Sequence, residues 1–361
     1  MKDVVVIGAG IAGLVCAQQL QQAGIMVTLV EKSKGLGGRL ATRRLMGTCA
    51  DHGVRYLAAQ GDRTQRLVQV LCRAGILQPW AKQYHHDTNG SLIPAPDALP
   101  HYSAVQGITA VAKALATHLE ILRGHRAIAI APTARRTWNV TVDSSASAEP
   151  VRVEAKALVL AIPAPQALDL LEPVAHPGLS TLLAKLRSVE FDPCISAIAH
   201  YAAAQKAAFA EIPWNAVSFS GNPTLSWISI DSRKRLSSSE APLLVVQSSA
   251  DFAKRHLNTP DLQPIGSQLM QCAAQLLLPW LNSPDLLQVH RWRYAFASRS
   301  RPECCLSIAE PLPLVCSGDW CGGNQVEDAL ESGLAAADEI SLRLGNTLPT
   351  PSFDQMLQHL L

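Results

Sequence analysis

Three glycines near the start of the chain have the spacing of a phosphate-binding loop. Gly8, Gly10 and Gly13 form the pattern G-x-G-x-x-G, with Ile11 and Ala12 between the last two. In such a loop the first glycine allows a sharp turn, the second lets the backbone approach a pyrophosphate, and the third lets a helix pack closely. The amides at the start of that helix hold the phosphate charge. These five residues therefore predict dinucleotide binding.

An acidic residue follows where the ribose of a dinucleotide would be held. The apolar, β-branched run Val4–Ile7 precedes the loop and predicts a strand buried on both faces. A second apolar run, Val27–Val30, ends in Glu31, which lies 18 residues after Gly13. A carboxylate at that place accepts hydrogen bonds from a ribose diol. We expect Glu31 and its neighbour Lys32 to bind the nucleotide.

A second glycine loop, followed by a cation, is not needed by a simple nicotinamide dehydrogenase. After Glu31 the sequence continues to Gly37, Gly38 and Arg39. This E-x-x-x-x-x-G-G-R segment resembles the second FAD motif of the glutathione-reductase-type flavoproteins, the branch that contains monoamine oxidases, phytoene desaturases and renalases. The resemblance implies that FAD is the cofactor. It also implies that Gly38 and Arg39 lie along the pyrophosphate and ribityl chain, where arginine offers planar donors to phosphate.

Two further segments resemble the same family. Residues 51–56 read DHGVRY and resemble the segment that passes beside the flavin ring, which implies that His52, Gly53 and Val54 contact the cofactor. Residues 158–166 read LVLAIPAPQ and resemble the strand and proline turn that return toward it. The resemblance therefore extends well beyond the nucleotide loop.

The end of the chain resembles the closing motif of these flavoproteins. Asp319 stands where the family's acid binds a ribityl hydroxyl, and Val326 opens a helix whose amino end would point at the pyrimidine edge of the flavin. Asn324 and Glu327 stand three residues apart, which predicts a capping box for that helix. The family also places a backbone contact to adenine in a strand, here at Ala127.

The segment His290–Ala295, HRWRYA, narrows the resemblance to the renalases and in particular to their bacterial branch. Such enzymes hold FAD non-covalently and take a hydride from 2- or 6-dihydro isomers of NAD(P) onto flavin N5. Electrons then pass to O2, giving NAD(P)+ and hydrogen peroxide. Cys321 lies on the wrong side of the Gly318-Asp319 motif for the covalent attachment found in monoamine oxidases. The resemblance thus implies non-covalent FAD and a dihydronicotinamide nucleotide as the small-molecule substrate.

Hydride transfer of this kind needs alignment more than a general base. One C–H bond breaks and the product becomes aromatic, so the main requirement is a donor carbon held about 3–3.5 Å from the acceptor. Alternation along a strand places His290, Trp292 and Tyr294 on one face, where they could form a slot for the ring. These three are the predicted catalytic residues, although ordinary core aromatics would show the same pattern. Weaker candidates for the pocket are Trp80, Tyr84 and His101.

The elements that must position these residues predict an α/β fold. We expect a Rossmann-like FAD-binding domain with a second, mixed-sheet α+β substrate domain inserted in two pieces. The FAD-binding domain takes residues 1–75, 107–186 and 301–361, and the substrate domain takes residues 76–106 and 187–300. The basic run at 232–235, SRKR, is predicted to be a solvated turn.

Composition excludes several classes of function. With 31 Lys and Arg against 29 Asp and Glu, the net charge of +2 indicates neither a nucleic-acid track nor a membrane surface. Nine scattered cysteines do not form zinc-ligand pairs or a disulfide framework, so no metal is expected. The chain begins directly with a candidate strand, and no apolar run is long enough for a membrane span. A cytoplasmic enzyme is the prediction.

Two alternatives stay open at this point. The first is an FAD-dependent amine oxidase or desaturase, although the lysine that amine oxidases hold near flavin N5 cannot be placed. The second is a non-catalytic, FAD-binding regulator, for which the neighbouring Cys304 and Cys305 would supply a redox-sensitive element. Clustered thiols are more often small buried core residues.

Overall fold

The computed structural model describes residues 1–80, 84–88, 91–95, 100–144, 149–235, 241–346 and 351–358. Twenty strands and ten α-helices are found in these ranges. The strands are β1 (Lys2–Ile7), β2 (Val27–Glu31), β3 (Thr42–Leu45), β4 (Thr48–Asp51), β5 (Leu57–Ala58), β6 (Leu77–Trp80), β7 (Tyr84–Thr88), β8 (Ser91–Pro94), β9 (His101–Ala104), β10 (Ile121–Arg123), β11 (His125–Pro132), β12 (Trp138–Ser144), β13 (Val151–Leu160), β14 (Glu190–His200), β15 (Ala216–Phe219), β16 (Leu225–Ile230), β17 (Leu243–Ser248), β18 (Leu286–Arg299), β19 (Leu306–Ile308) and β20 (Leu314–Cys316). The helices are α1 (Ile11–Gln22), α2 (Asp62–Arg73), α3 (Thr109–Leu115), α4 (Ala164–Leu171), α5 (Ser180–Arg187), α6 (Lys206–Ala210), α7 (Ala250–Arg255), α8 (Gln263–Leu276), α9 (Val326–Arg343) and α10 (Phe353–Gln358).

The first sheet has eight strands and carries the nucleotide-binding loop. Its order is β10-β2-β1-β13-β12-β11, with β20 also paired to β13 and β19 to β20. The strands β10, β2, β1, β13 and β20 run parallel, so the carboxyl ends of β1 and β2 lie at one edge. Val4, Val5 and Val6 are completely buried, because helices cover both faces of this sheet. The predicted Rossmann-like domain is confirmed.

The second sheet has seven strands in the order β18-β14-β17-β16-β15-β7-β8. All its pairs are antiparallel except β15 with β7, so it is a mixed sheet as predicted. Helices α7 and α8 cover one face with a separate apolar core. The predicted fold class, a Rossmann-like domain plus a second mixed-sheet domain, is therefore confirmed.

A third, three-stranded sheet joins residues on both sides of a predicted domain boundary. Its order is β5-β9-β6, so β5 from the predicted FAD-binding range pairs with β9 from the predicted substrate range. The assignment of residues 1–75, 107–186 and 301–361 to one domain, and of 76–106 and 187–300 to the other, stays a prediction.

The capping box predicted for α9 is shifted by one residue. Asp328, not Glu327, closes the helix: its Oδ2 accepts from the backbone amides of Asn324 at 2.9 Å and Gln325 at 2.7 Å. Glu327 points away to the start of α2, where it accepts from the amides of Arg63 and Thr64. The carboxylate thus satisfies orphan donors of a helix far away in sequence, which spacing alone could not show.

Candidate active site

The first glycine loop joins β1 to α1 and has the geometry its sequence predicts. Gly8 has a positive φ of +107°, and a Cβ there would overlap the carbonyl oxygen of Ala161. A Cβ on Gly13 would overlap the carbonyl oxygen of Gly8, so α1 packs directly on the loop. Gly10, the N-cap of α1, has no side chain to cap the helix, and the amides of Ile11 and Ala12 begin its first turn. This helix end is suited to an anion.

Beside this loop lies a cleft of about 180 Å³. Glu31 and Lys32 at the end of β2 line it together with Gly8 and Ala127 of β11. The buried Glu31 carboxylate accepts from the amide of Ala9 at 2.9 Å and from that of Ser33 at 2.8 Å. Two backbone donors therefore fix the acid at the cleft, with capacity left on its oxygens to accept ribose hydroxyls.

The second glycine loop lies against the first. The amide of Gly37 donates to the carbonyl of Ala9 at 2.8 Å, and a Cβ on Gly38 would lie 3.6 Å from Gly10 Cα. A Cβ on Gly10 would meet nothing within 4 Å. The two loops thus form a groove with walls of bare backbone, which we call the glycine cradle (residues 8–13 and 37–39).

Arg39 and Asp319, both predicted to contact FAD, pair with each other. Arg39 Nη1 and Nη2 donate to the two carboxylate oxygens of Asp319 at 2.8 and 2.6 Å, and Nη1 also donates to the carbonyl of Ala295. This fork geometry holds both groups rigidly at the end of the cradle. Val326 lies nearby in the chain as the first residue of α9, and Gly333 of that helix packs against the Ala12 carbonyl.

The 51–56 segment is fastened to the second loop. The amide of Val54 donates to the carbonyl of Arg39 at 2.8 Å, and the amide of His52 donates to that of Ala41 at 3.0 Å. A Cβ on Gly53 would overlap the Arg39 carbonyl oxygen. The three predicted residues His52, Gly53 and Val54 therefore continue the wall of the cradle toward the second sheet.

Two of the three predicted catalytic residues meet His52. The His52 ring stacks on Trp292 at a centroid distance of 5.4 Å and contacts the edge of His290 at 4.9 Å. The indole Nε1 of Trp292 donates to the His52 carbonyl at 2.8 Å, which fixes the ring. Tyr294 differs: its ring packs against Phe191 at 5.5 Å. The pairing of β18 with β14 shifts register between Asp192 and Cys194, so simple alternation does not hold along this strand.

The histidines in this cluster are biased toward the neutral form. Burial, followed by the charges of His290 and Arg43, lowers the pKa of His52 to about 4. The pKa of His290 is also lowered, by packing of its ring and by Arg43 and Arg291. Among the described residues, the buried Nδ1 of His52 has no hydrogen-bond partner. In the aromatic wall (His52, His290 and Trp292) the His290 ring thus stands edge-on to the stacked pair of His52 and Trp292, both histidines are uncharged at neutral pH, and His52 Nδ1 is a free polar atom.

The basic run at 232–235 is not a solvated turn, which corrects the sequence prediction. Lys234 is 1% exposed, and its Nζ lies 2.5 Å from Asp231 Oδ1 and 3.8 Å from Asp51 Oδ2. Arg235 donates from Nη2 to Asp51 at 3.0 Å and to Asp231 at 2.8 Å. We call these four residues the charge cluster. Burial is possible because the two cations meet two carboxylates, Asp231 beside them in sequence and Asp51 far from them.

The charge cluster controls the ionisation of Asp51. Burial by itself raises the pKa of this carboxyl, but Lys234 and Arg235 more than offset that effect and lower it. Hydrogen bonds from the amide of Ile108 and from the Thr42 hydroxyl, at 2.8 and 2.7 Å, act in the same direction. Asp51 is therefore a charged structural anchor immediately before His52, joining β4 to the second sheet.

Arg55 and Tyr56 continue the segment into a second group of rings. The centroid of the Tyr56 ring lies 3.8 Å from that of His101, on which it stacks, and 5.7 Å from that of Trp227. Tyr84 contacts the rings of His101 and Trp227. The weaker candidates Trp80, Tyr84 and His101 thus cluster around Tyr56, not around His52. Sequence reasoning assigned no role to Arg55. The only signal was a cation within the DHGVRY segment.

The residues present fit FAD. The cradle supplies a helix end suited to phosphate, and Glu31 lines a cleft that could take a nucleoside. The 51–56 segment, with its unpartnered His52 Nδ1, lies beyond the second loop. In the described ranges no group of His, Cys, Asp or Glu is arranged to bind a metal, and no helix there is long and apolar enough to cross a membrane.

Comparison with known proteins gives the family. Residues 6–71 match the NAD(P)-binding Rossmann-like domain, and residues 77–341, more than half of the chain, match the flavin containing amine oxidoreductase family. A probable polyamine oxidase 4 of Arabidopsis thaliana is 36% identical over 74 residues, which are 20% of this chain and 15% of that protein. An L-amino-acid oxidase of Mus musculus is 36% identical over 90 residues, 24% of this chain and 14% of that protein. These curated relatives are therefore matched over a short part of their own length.

Solved structures resemble the whole chain at low identity. An A394C mutant of putrescine oxidase has a TM-score of 0.70 at 13% identity, covering 95% of this chain and 99% of that one. A putative protoporphyrinogen oxidase from Exiguobacterium sp. 255-15 has a TM-score of 0.69 at 15% identity, with the same coverage. These likenesses show a shared fold. The match over residues 77–341 shows that the chain belongs to the flavin-containing amine oxidoreductase family, and the residues of the cradle fit the flavin that this family name implies.

Proposed function

We propose that this enzyme oxidises 2- or 6-dihydro isomers of NAD(P) with O2. The donor loses a hydride and becomes aromatic NAD(P)+, while O2 takes up the two electrons and two protons, one of them from solvent, to give hydrogen peroxide. The sequence resemblance to bacterial renalases motivates this substrate. The structural observation that carries it is the aromatic wall at the end of the cradle, in which the uncharged His52 ring stacks on Trp292.

Residues of both glycine loops would hold FAD without a covalent bond. In this proposal Gly8, Gly10, Ile11, Ala12, Gly13, Gly38 and Arg39 hold the pyrophosphate side, Glu31, Lys32 and Ala127 the adenosine side, and His52, Gly53, Val54, Asp319 and Val326 the ribityl and ring side. When bound, FAD supplies the hydride-accepting atom N5 and passes electrons to O2.

The wall residues position the substrate and exclude water. Trp292 is held by its hydrogen bond to the His52 carbonyl, which also accepts from the Ser196 hydroxyl at 2.7 Å. A ring fixed in this way can align a flat dihydropyridine without a proton-accepting side chain, because hydride loss needs none. Since the pKa of His52 is about 4, its imidazole adds no positive charge that would oppose formation of a cationic product. We give Trp292 and His290 the direct role and Tyr294 a supporting one.

Oxidation of an amine is the second candidate. The curated relatives and solved structures include polyamine, putrescine and cyclohexylamine oxidases, which favours it. A protonated amine, however, is best held by a free carboxylate. The two carboxylates flanking the wall, Asp51 and Asp319, are both engaged by cations. We therefore rank the amine below the dihydronicotinamide.

Anaerobic stopped-flow reduction of the FAD-loaded enzyme separates the two. We expect rapid flavin bleaching with the 2- or 6-dihydro isomers, and little with ordinary 4-dihydro-NAD(P)H, putrescine or benzylamine. One equivalent of hydrogen peroxide per donor should appear when O2 is admitted. Bleaching by an amine alone would replace the proposal with the second candidate. No bleaching by any of these compounds would refute both.

The domain division and location are proposed with this function. We propose that residues 1–75, 107–186 and 301–361 hold FAD and that residues 76–106 and 187–300 cover the substrate. All nine cysteines are free thiols in the structure, and we propose a cytoplasmic enzyme with O2 as electron acceptor.

A further inference from the structure

We infer that Arg55 binds an oxyanion of the substrate, specifically a phosphate group of the dihydronicotinamide nucleotide. This inference rests on the proposed function and adds to it the group by which the substrate is recognised. Arg55 lies three residues after His52, where the aromatic wall meets the rings around Tyr56.

Arg55 has only neutral partners. Its Nε donates to Gln247 Oε1 at 2.6 Å and its Nη2 to the Ser226 hydroxyl at 2.9 Å. The guanidinium also lies 4.9 Å above the ring of Trp227. None of the ion pairs in the described part of the chain includes Arg55, and three of its five N–H donors have no partner there.

An uncompensated guanidinium in these surroundings is costly. Trp227 is 1% exposed and, with Tyr56, provides an apolar floor beneath the half-buried guanidinium. Burial accordingly lowers the pKa of Arg55. A charge held in a medium of low polarity interacts strongly with an ion of opposite sign, so an arriving anion would relieve this cost.

Neighbouring carboxylates cannot supply that anion. Asp51 and Asp231 already face Lys234 and Arg235 in the charge cluster. Lys234 donates at 2.8 Å to the carbonyl of Arg55 itself, which brings a further cation close. Because the charges of the cluster are matched among themselves, the positive charge of Arg55 has no carboxylate partner among the described residues and favours an anionic substrate over an ammonium ion.

Gln247 links this cation to the flavin side of the site. Its Nε2 donates to the Gly53 carbonyl at 2.8 Å, while its Oε1 accepts from Arg55. One amide thus fixes the guanidinium relative to the segment that carries His52. A planar arginine fork held in this manner matches the geometry of phosphate.

The test compares donors with and without phosphate on the FAD-saturated enzyme. The apparent Kd for anaerobic flavin reduction is measured with 6-dihydronicotinamide riboside, its 5′-phosphate and the complete dinucleotide. R55Q should raise the Kd of both phosphorylated donors about 10–100-fold and leave that of the riboside within about twofold. R293Q removes an exposed arginine of β18 and is the matched control, which should change neither. Equal weakening of all donors, or no weakening, would overturn the inference.

Two additions keep the test decisive. If R55Q does not fold, R55K is measured in the same way, since lysine retains the charge but loses the fork: selective weakening of the phosphorylated donors supports the inference, and unchanged affinity overturns it. If no dihydronicotinamide reduces the flavin, the proposed function fails, and calorimetric titration of the FAD-saturated enzyme with pyrophosphate decides separately. Binding that R55Q or R55K weakens and R293Q retains supports an oxyanion site at Arg55, whereas no binding, or binding that the Arg55 variants leave unchanged, overturns it.

Discussion

The glycine cradle and the charge cluster lie on either side of His52. The cradle is formed mainly by backbone and the cluster by charged side chains. In the cradle, Gly8, Gly13 and Gly38 bring main chain against main chain, and the start of α1 has no side-chain cap. In the charge cluster, Lys234 and Arg235 are buried against Asp51 and Asp231, so each cation already has a carboxylate partner. The cradle is thus arranged to receive charge, and the cluster to fix the position of the segment between them.

This difference determines how each region should fail. In the cradle a single methyl group can block the groove, because the limit is steric. In the charge cluster a change of shape matters less than a change of charge, because an unpaired buried ion is the costly state. The following changes, in order of decreasing effect, test that contrast.

Lys234→Met should cause the largest loss of stability. It leaves Asp51 and Asp231 with a single cation and removes the hydrogen bond to the Arg55 carbonyl. We expect the free energy of unfolding to fall by about 3–5 kcal/mol in denaturant titration. Lys254→Met, which breaks an exposed pair with Asp192, should cost less than about 1 kcal/mol. Comparable losses in the two variants would show that burial does not distinguish the cluster.

Adding Asp231→Asn to Lys234→Met refines that result. The double variant leaves Asp51 paired with Arg235 and removes the second carboxylate. It should recover part of the lost stability, because a neutral pair is less costly than an unmatched charge. Strict additivity of the two substitutions would contradict the interpretation.

Gly13→Ala should damage the cradle by steric overlap. The new Cβ would overlap the Gly8 carbonyl oxygen, and both atoms belong to tightly packed backbone. We expect a loss of about 3 kcal/mol in unfolding free energy and loss of bound FAD, measured by the flavin absorbance of the purified protein. Gly35→Ala, where a Cβ meets nothing within 4 Å and the backbone is not left-handed, controls for a general effect of replacing a loop glycine. Full flavin content in Gly13→Ala would exclude close helix packing as a requirement.

Acid should destabilise the fold through His52. The pKa of this imidazole is lowered to about 4 in the folded protein, against about 6.5 in the unfolded chain. Between these values the unfolded state binds the extra proton, so stability falls as pH decreases from about 6.5 to 4, by at most about 3 kcal/mol. His52→Gln should remove this part of the pH dependence. Identical stability profiles for wild type and variant over that range would rule out the buried neutral histidine.

Glu31→Ala should have the smallest effect on the fold and a clear effect on the cofactor. The carboxylate accepts two amide hydrogen bonds, so its loss should cost about 1–2 kcal/mol of stability. FAD retention after gel filtration should drop about tenfold if the acid also binds ribose. Glu172→Ala, an exposed pair with Arg187, is the control. A variant that keeps its full yellow colour would count against the ribose assignment.

Motifs defined by local spacing could be predicted from the sequence because they depend on local backbone geometry. The turn at Gly8, the close packing of Gly13 and the acid ending β2 all lie within about thirty residues, so steric rules and strand periodicity sufficed. Trp292 was predicted to line the substrate pocket with the help of a family resemblance, and that role stays a prediction. Tyr294 was grouped with Trp292 by simple alternation, which the register shift in β18 removes.

The sequence by itself determined the dinucleotide loop and the two-sheet fold class, because both follow from contiguous glycines and apolar runs. The order of the FAD motifs was also present in the sequence and was identified by resemblance. Only the tertiary structure decided whether the basic run 232–235 is buried or solvated. One of its neutralising partners, Asp231, lies close in sequence, but the other, Asp51, lies 184 residues from Arg235, and no periodicity connects them. The same holds for Arg55, whose neutral partners Gln247 and Ser226 come from two other strands. Whether a charge is buried or solvated depends on the groups that folding places beside it. The linear sequence does not give the distance between a charge and those groups.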